Sequence, residues 1–136
     1  MRAFTFLVLA AVIAPVLVIL AAPQNDEVRT AGEAWLTLLD NRKYDDSYQE
    51  ASASFRSDVS PEQWKQSLER YRDPLGPALS RSVARLNFAK QLRGAPDGNY
   101  AIFHFTTDFK NKEHVTERLT LVEEDGKWKA SAYAIH

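Results

Sequence analysis

The stretch SPEQWKQSLERYRDPLGPALSR, residues 60–81, marks the point at which the sequence changes from helical to strand periodicity. Ser60 and Gln63 have the spacing of a capping box, and Pro61 suits the first position of a helix. The residue before a proline avoids the helical region, so the Asp–Pro pair at 73–74 predicts where this helix ends. The stretch therefore predicts a corner at which a helix gives way to the first strand of a sheet.

Two further helices are predicted upstream of this corner. Asp26 suits the N-cap of a helix that runs to about Leu39, and apolar residues recur along it at helical spacing. A second apolar face at the same spacing predicts a helix over about 44–54. Residues 23–27, PQNDE, are expected to form a short polar linker before the first helix.

Downstream of the corner the apolar period changes to two, which is typical of strands. Asp125-Gly126 is a strong hairpin signal. Helices that precede an antiparallel meander predict a single α+β domain over residues 28–136, with three helices packed on one face of a curved four-stranded sheet. A long sheet curved over helices has the shape of a cone with an internal pocket. The four strands are predicted at 80–92, 100–109, 114–123 and 127–135.

Composition excludes several classes of protein. The 136 residues include 17 basic and 18 acidic side chains, so the chain has no basic field to bind a nucleic acid backbone. The absence of cysteine excludes disulfides, thiolate metal sites and a cysteine nucleophile. The three histidines lack the spacing of metal ligands, and no serine-hydrolase, dinucleotide or phosphate-loop motif is present. We therefore expect no metal and no cofactor, and the sequence assigns no catalytic residue.

The first 22 residues have the pattern of an export segment. Arg2 precedes an uncharged apolar run over residues 3–22. That run has about the 20 residues a bilayer needs, whereas a signal-peptide core usually has about 7–15. Cleavage after Ala21 or Ala22 would place a large residue where a small one is preferred. A cleaved signal peptide and an inner-membrane anchor both stay open, and either predicts a domain in the periplasm or exported.

Glu117 is the most informative polar residue, because it falls on the apolar face of its strand. A buried carboxylate is costly unless it is paired, and Arg72 and Arg81 are its expected partners. One interpretation is a general base inside the cone, as in isomerases of this fold class. The other is a structural Arg–Glu bridge between the corner and the sheet. An arginine beside a carboxylate makes it a weaker base, which favours the structural interpretation.

Two aromatic residues complete the candidate ligand-binding set of Trp64, Arg72, Arg81, Glu117 and Tyr133. Trp64 lies one turn from the start of its helix and is expected at the rim of the cone, and Tyr133 lies on the fourth strand. His104 is expected on the outer face of the sheet in a surface role. The same outer face is predicted to form a homodimer surface made of Tyr100, Ile102, Val122, Tyr133 and Ile135.

Several short segments, in this order and spacing, resemble the bacterial family called domain of unknown function 4019. The resemblance covers about residues 30–135 and implies a small exported or membrane-anchored protein. It also implies a cystatin-like cone fold similar to that of nuclear transport factor 2, and it supplies no catalytic residue. Tyr48 stands where the family usually has a second tryptophan. The matching segments are AGEAWLTLLDNRKYDDSYQEAS at 31–52, PEQW at 61–64, R-x-P-L-G at 72–76, Arg81, GAPDGNY at 94–100 and TERLTLVEEDGKWKASAYAI at 116–135.

The leading expectation is a non-enzymatic domain of the cell envelope that binds an unknown protein or small molecule. Its rival is a small isomerase- or hydrolase-type enzyme that uses Glu117. A filled cone with a paired Glu117 would favour the binding domain, and a catalytic polar pair without an arginine would favour the enzyme. A third role, as an accessory in envelope stress or assembly, rests on the expected location alone.

Overall fold

The computed structural model describes residues 24–136, and within them four α-helices are followed by four strands. This arrangement confirms the predicted α+β class. No helix of this part of the chain has the length and apolarity needed to cross a membrane. The predicted export segment lies outside the described residues. The elements are α1 Gln24–Asp40, α2 Tyr44–Glu50, α3 Ala53–Asp58, α4 Pro61–Tyr71, a 3₁₀ turn Asp73–Leu75, β1 Ala78–Ala89, β2 Tyr100–Phe109, β3 Lys112–Glu124 and β4 Lys127–Ile135.

The helix predicted over 44–54 is in fact two helices, so the expected number of three was wrong. Ala51 and Ser52 are extended between α2 and α3. The Ser52 hydroxyl accepts a hydrogen bond from the Phe55 amide and caps α3. The Ser52 amide donates to the Ala130 carbonyl at 2.8 Å. The break therefore gives β4 a backbone partner that a continuous helix would not offer.

Helix α1 begins at Gln24, so residues 24–27 are helical where the sequence indicated a linker. Asp26 lies in the first turn of the helix, where the helix dipole favours a negative charge. Further along, Gly32 lets α1 approach the sheet closely. A Cβ atom at Gly32 would come within 3.3 Å of the Phe103 ring.

The corner forms as the sequence predicts. Ser60 and Gln63 form the capping box, and Pro61 occupies the first turn of α4. The helix ends at Tyr71, and the chain turns through the 3₁₀ segment to Gly76. Gly76 has a φ of 77°, a conformation that glycine adopts without strain. Helix α4 is thereby joined to β1 by a short, defined turn.

The sheet is an antiparallel meander in the order β1-β2-β3-β4. Asp125 and Gly126 form the last hairpin turn, and both have positive φ, as the hairpin signal predicts. The helices pack on one face of the sheet, here called the inner face, and the opposite face is called the outer face. Side chains fill the space between helices and sheet. The largest of them include Leu36, Leu39, Phe103, Phe105, Leu119 and Leu121.

Two of the four register shifts in the sheet decide which side chains of β1 and β4 point inward at the site. Strict alternation would place Arg81 and Leu86 on opposite faces of β1, but the register shifts at Ala84 and both face inward. A second shift at Ser131 brings Ala130 and Tyr133 onto the same inner face of β4. The sequence placed Tyr133 on the outer face, and that prediction was wrong. A bulge inserts one residue and reverses the alternation beyond it.

Of the five residues of the predicted dimer surface, two lie on the inner face and two are buried on the outer face. Tyr133 and Ile135 lie on the inner face, opposite Leu119 and Glu117 of β3. Tyr100 and Ile102 do point outward, but both are buried, at 5% and 7% exposure. The loop between β1 and β2 folds onto this face, and the Tyr100 hydroxyl donates to the Pro96 carbonyl at 2.6 Å. Val122 is the one residue of the five that is partly exposed on the outer face. Homodimerisation therefore stays a prediction, without the surface proposed for it.

Candidate functional site

Glu117 lies on the inner face of β3 with no exposed surface. Its Oε1 accepts hydrogen bonds from Arg81 Nε at 2.8 Å and from Thr107 Oγ1 at 2.5 Å. Its Oε2 accepts a hydrogen bond from the Tyr133 hydroxyl. The sequence predicted the burial of Glu117 and its pairing with an arginine, and both are confirmed. The carboxylate is therefore held by three donors from three different strands.

Asp40, at the end of α1, joins two arginines. The Arg81 guanidinium binds it through two parallel hydrogen bonds of 2.9 Å, and Arg72 Nη2 donates to its Oδ1. Burial works to raise the pKa of Asp40, but the hydrogen bonds and charges of Arg81 and Arg72 outweigh it, so the pKa lies below the ordinary value. Asp40 is consequently an ionised partner for both arginines near neutral pH.

Arg72 completes the arrangement from the end of α4, where it is 4% exposed. Its Nε donates to the Tyr133 hydroxyl at 3.3 Å, and its Nη1 donates to the Leu39 carbonyl at 3.0 Å. Its guanidinium also lies over the Phe109 ring, 5.3 Å from the centroid. Arg72 is therefore hydrogen-bonded to both Asp40 and Tyr133.

These contacts close on themselves and form what we call the polar ring, made of Arg72, Tyr133, Glu117, Arg81 and Asp40. Two guanidinium groups balance two carboxylates. Burial raises the pKa of Tyr133, as does the neighbouring charge of Glu117, so the phenol stays protonated and bridges Glu117 to Arg72. The ring connects α1, the end of α4 and strands β1, β3 and β4. It can hold these elements in register, and it leaves no carboxylate in the ring without a hydrogen-bond donor.

The structure brings together four of the five predicted site residues: Arg72, Arg81, Glu117 and Tyr133. Trp64 lies next to them and packs edge-on against Tyr133, with ring centroids 6.1 Å apart. Trp64 is 6% exposed, and its Nε1 donates to the Ser47 hydroxyl at 3.0 Å. It therefore lies within the core instead of at a rim.

Sequence reasoning missed two residues of this site. Asp40 looked like the polar end of a helix, and nothing in its neighbourhood pointed to a buried pair of arginines. Thr107 had a usable signal, because it continues the alternation of Phe103 and Phe105 on the inner face of β2. A threonine on an otherwise aromatic face needs a hydrogen-bond partner, and Glu117 opposite was the available acceptor.

Replacing Thr107 with valine tests its contribution to the site. Thr107 is fully buried and its hydroxyl is bonded to a charged acceptor, so we expect the free energy of unfolding to fall by about 1.5–3 kcal/mol. The matched control is Thr106→Val, since the neighbouring hydroxyl points outward and should matter by about 0.5 kcal/mol or less. Urea denaturation measures both. Equal effects of the two variants would contradict this role for Thr107.

Two surface depressions border the arginines of the polar ring. One, of about 320 Å³, lies between α4 and the end of β4 and includes Arg72, Tyr133 and Ile135. The other, of about 500 Å³, lies between α1 and β1 and includes Arg81 and Glu33. Neither holds a cluster of metal-ligating side chains, and no such cluster occurs among residues 24–136. The ring can therefore be approached from two sides, but its polar atoms are already bonded to one another.

The fold and the ring together define a small α+β domain in which the charged side chains of the ring are paired with each other. A family model described as "Protein of unknown function (DUF4019)" matches residues 31–133. The chain belongs to this family, as its sequence segments indicated. No curated protein matches it.

Proposed function

We propose that this chain is a non-enzymatic binding module of the cell envelope, exported or anchored to the inner membrane, whose ligand is a protein or a small molecule. The observation that carries the proposal is the bonding of Glu117. A general base needs a lone pair that can reach a substrate proton. Glu117 instead accepts three hydrogen bonds and has no exposed surface. Those contacts support a structural carboxylate.

The proposed location rests on the apolar run at residues 3–22. Protease digestion of intact cells, of spheroplasts and of lysed spheroplasts tests it with the full chain. The proposal expects the domain to be degraded once the outer membrane is opened. Protection until the inner membrane is lysed would place the domain in the cytoplasm and contradict this part. Membrane association resistant to high salt would then distinguish an anchor from a cleaved signal peptide.

We also infer that the domain is a cone of the nuclear transport factor 2-like superfamily. Helices on one face of a long antiparallel sheet support this inference, as do the bulges at Ala84 and Ser131, because bulges bend and twist a sheet. In such a cone the polar ring would lie in the interior, where related enzymes hold a pocket. Here side chains from helices and strands occupy that space.

The binding role is tested by native mass spectrometry of the full chain, purified gently from its source bacterium. The proposal expects a bound molecule of defined mass or a protein that copurifies in fixed ratio. A bare chain in repeated preparations, with no copurifying protein, would contradict it. The same preparation shows whether the chain is a monomer or a dimer.

Replacing Glu117 with glutamine distinguishes the binding module from the enzyme. A structural carboxylate predicts a loss of about 1–3 kcal/mol in the free energy of unfolding. Glutamine cannot form the ion pair with Arg81, and its amide nitrogen would face hydrogen-bond donors. A catalytic carboxylate kept at a cost to stability predicts an unchanged or more stable variant. Thermal and urea unfolding measure the difference. Glu113→Gln, an exposed substitution on the same strand, is the matched control.

A further inference from the structure

A groove on the outer side of the domain includes Tyr133 but none of the four charged residues of the polar ring. It runs between the loop at 92–96 and strands β3 and β4, and it ends at α3. Its volume is about 470 Å³, within the range of small-molecule sites. We call it the outer groove. The side chains that matter to the argument are Arg93, Arg118, Tyr100, Ala132, Ala134 and, at the α3 end, Asp58.

The two arginines of the outer groove differ from those of the polar ring. Arg72 and Arg81 are each paired with carboxylates. Arg93 and Arg118 are exposed, and neither forms an ion pair within residues 24–136. The one carboxylate that lines the groove, Asp58, leaves it with a surplus of positive charge. These guanidinium groups are therefore available to an external anion.

Arg118 also belongs to a row of basic residues across the sheet. Arg85, His104 and Arg118 are direct neighbours on β1, β2 and β3, and all three point outward. Arg85 and Arg118 thus flank His104 from the two neighbouring strands, and like charges that lie near one another repel. Burial lowers the pKa of His104, and so do the charges of Arg85, Arg118 and His136, so the imidazole stays neutral near neutral pH.

The His104 ring adds a second observation. Its Nε2 lies 3.3 Å from Arg85 Nη2, while its buried Nδ1 has no hydrogen-bond partner among the described residues. The outer face therefore has three basic side chains in a row, and the described residues provide no hydrogen-bond acceptor for His104 Nδ1. An anion bound by Arg118 would supply an acceptor on this face and reduce the repulsion between Arg118 and Arg85.

The outer groove has both hydroxyl groups, from Ser54, Thr120 and Ser131, and an apolar part. The apolar part lies beside Arg118 and includes Ala132 and Ala134 of β4 and Tyr100 of β2. We propose that the outer groove binds a small molecule in which a carboxylate or phosphate is joined to a short apolar body, with Arg118 and Arg93 binding the anionic group. This inference rests on the proposed function, since it names the class of ligand that a binding module of this kind would take.

Binding of defined probes tests the inference with the full chain, kept in a nonionic detergent if its leader is retained. The probes are hexanoate, hexyl phosphate and, as the uncharged control, 1-hexanol, each titrated by calorimetry. We expect one or both anions to bind and hexanol not to. Arg118→Gln should weaken the binding at least about tenfold, because a charge-assisted hydrogen bond is lost. The stronger of the two anions identifies a carboxylate or a phosphate ligand.

Arg70→Gln is the matched control, since it removes the same charge from an exposed position on α4 and should leave binding unchanged. Equal binding of hexanol, unchanged affinity in Arg118→Gln, or failure of both anions to bind at millimolar concentration would each overturn the inference. Thermal unfolding confirms that the variant is folded, as expected for an exposed side chain. A ligand or partner seen by native mass spectrometry in a chain whose outer groove binds no anion would refute this inference alone and leave the proposed function standing.

Discussion

Replacing Arg81 with methionine is expected to lower the free energy of unfolding by about 3–5 kcal/mol. Arg81 is the residue of the polar ring that contacts both carboxylates, with Nε on Glu117 and two other nitrogens on Asp40. Methionine keeps much of the apolar stem but removes the charge. Glu117 would then remain fully buried without its cationic partner, and removal of one partner from a buried ion pair leaves an uncompensated charge.

Arg42→Met is the matched control for this experiment. Arg42 also pairs with a carboxylate, Asp73, at 2.7 Å, but its side chain is 69% exposed. An exposed pair contributes about 0–1 kcal/mol, so the control should stay near the parent chain. Urea unfolding of both variants gives the two values. A loss in Arg81→Met no larger than that in Arg42→Met would show that the polar ring does not stabilise the fold.

The double variant Arg81→Met, Glu117→Met sharpens the interpretation. Removing both charges eliminates the buried unpaired carboxylate, so the double variant should be more stable than the sum of the two single losses predicts. The difference measures the coupling between the two side chains. Simple additivity would mean that Arg81 acts through Asp40 and not through Glu117.

The sequence was sufficient where local chemistry determines local structure. The capping box at Ser60 and Gln63, the turn at Asp125 and Gly126, and the order of helices and strands all follow from residue preferences over short distances. The burial of Glu117 also followed, because alternation along β3 has no irregularity between Val115 and Glu117. The partners then followed from charge, since a buried carboxylate requires a cation.

The sequence was insufficient where a single inserted residue reverses the alternation of inward and outward side chains along a strand. The bulge at Ser131 turns Tyr133 inward, and the bulge at Ala84 lets Arg81 and Leu86 share a face. Neither Ala84 nor Ser131 carries a turn signal, so alternation alone assigned Tyr133 to the outer surface. Asp40 was missed for a different reason: it is 41 residues from Arg81, and only the packing of α1 on the sheet brings them together.

The same two bulges explain why the polar ring closes. Tyr133 can reach Glu117 and Arg72 only from the inner face, and Arg81 needs to share that face with Glu117. The bulges are therefore the local distortions that convert two arginines, two carboxylates and a phenol into one connected network. A network in which every polar group has a hydrogen-bond partner fixes one arrangement of the helices and strands that carry it. The stretch at 60–81 supplies both arginines of this network, and we assign it that structural role.

Replacing Trp64 with alanine is the second large effect we expect, a loss of about 3–5 kcal/mol in the free energy of unfolding. Trp64 packs edge-on against Phe55 at a centroid distance of 5.0 Å and lies 5.9 Å from Trp35. Its indole nitrogen donates to the hydroxyl of Ser47, which is itself fully buried. Alanine would leave a large cavity among these rings and would remove a buried hydrogen bond to Ser47, and both changes destabilise a core.

Tyr71→Ala is the control, since Tyr71 is an aromatic residue of the same helix that is 60% exposed, and its loss should change stability by about 0.5 kcal/mol or less. Trp64→Phe keeps most of the side-chain volume without the indole nitrogen, so its loss of stability should lie between those of Trp64→Ala and Tyr71→Ala. If Trp64 instead formed part of a ligand-binding rim, its removal would weaken ligand binding and leave stability near that of the control. Urea unfolding of the three variants, with ligand binding measured in parallel, distinguishes a core residue from a binding residue. For a core residue, stability falls as the side chain becomes smaller.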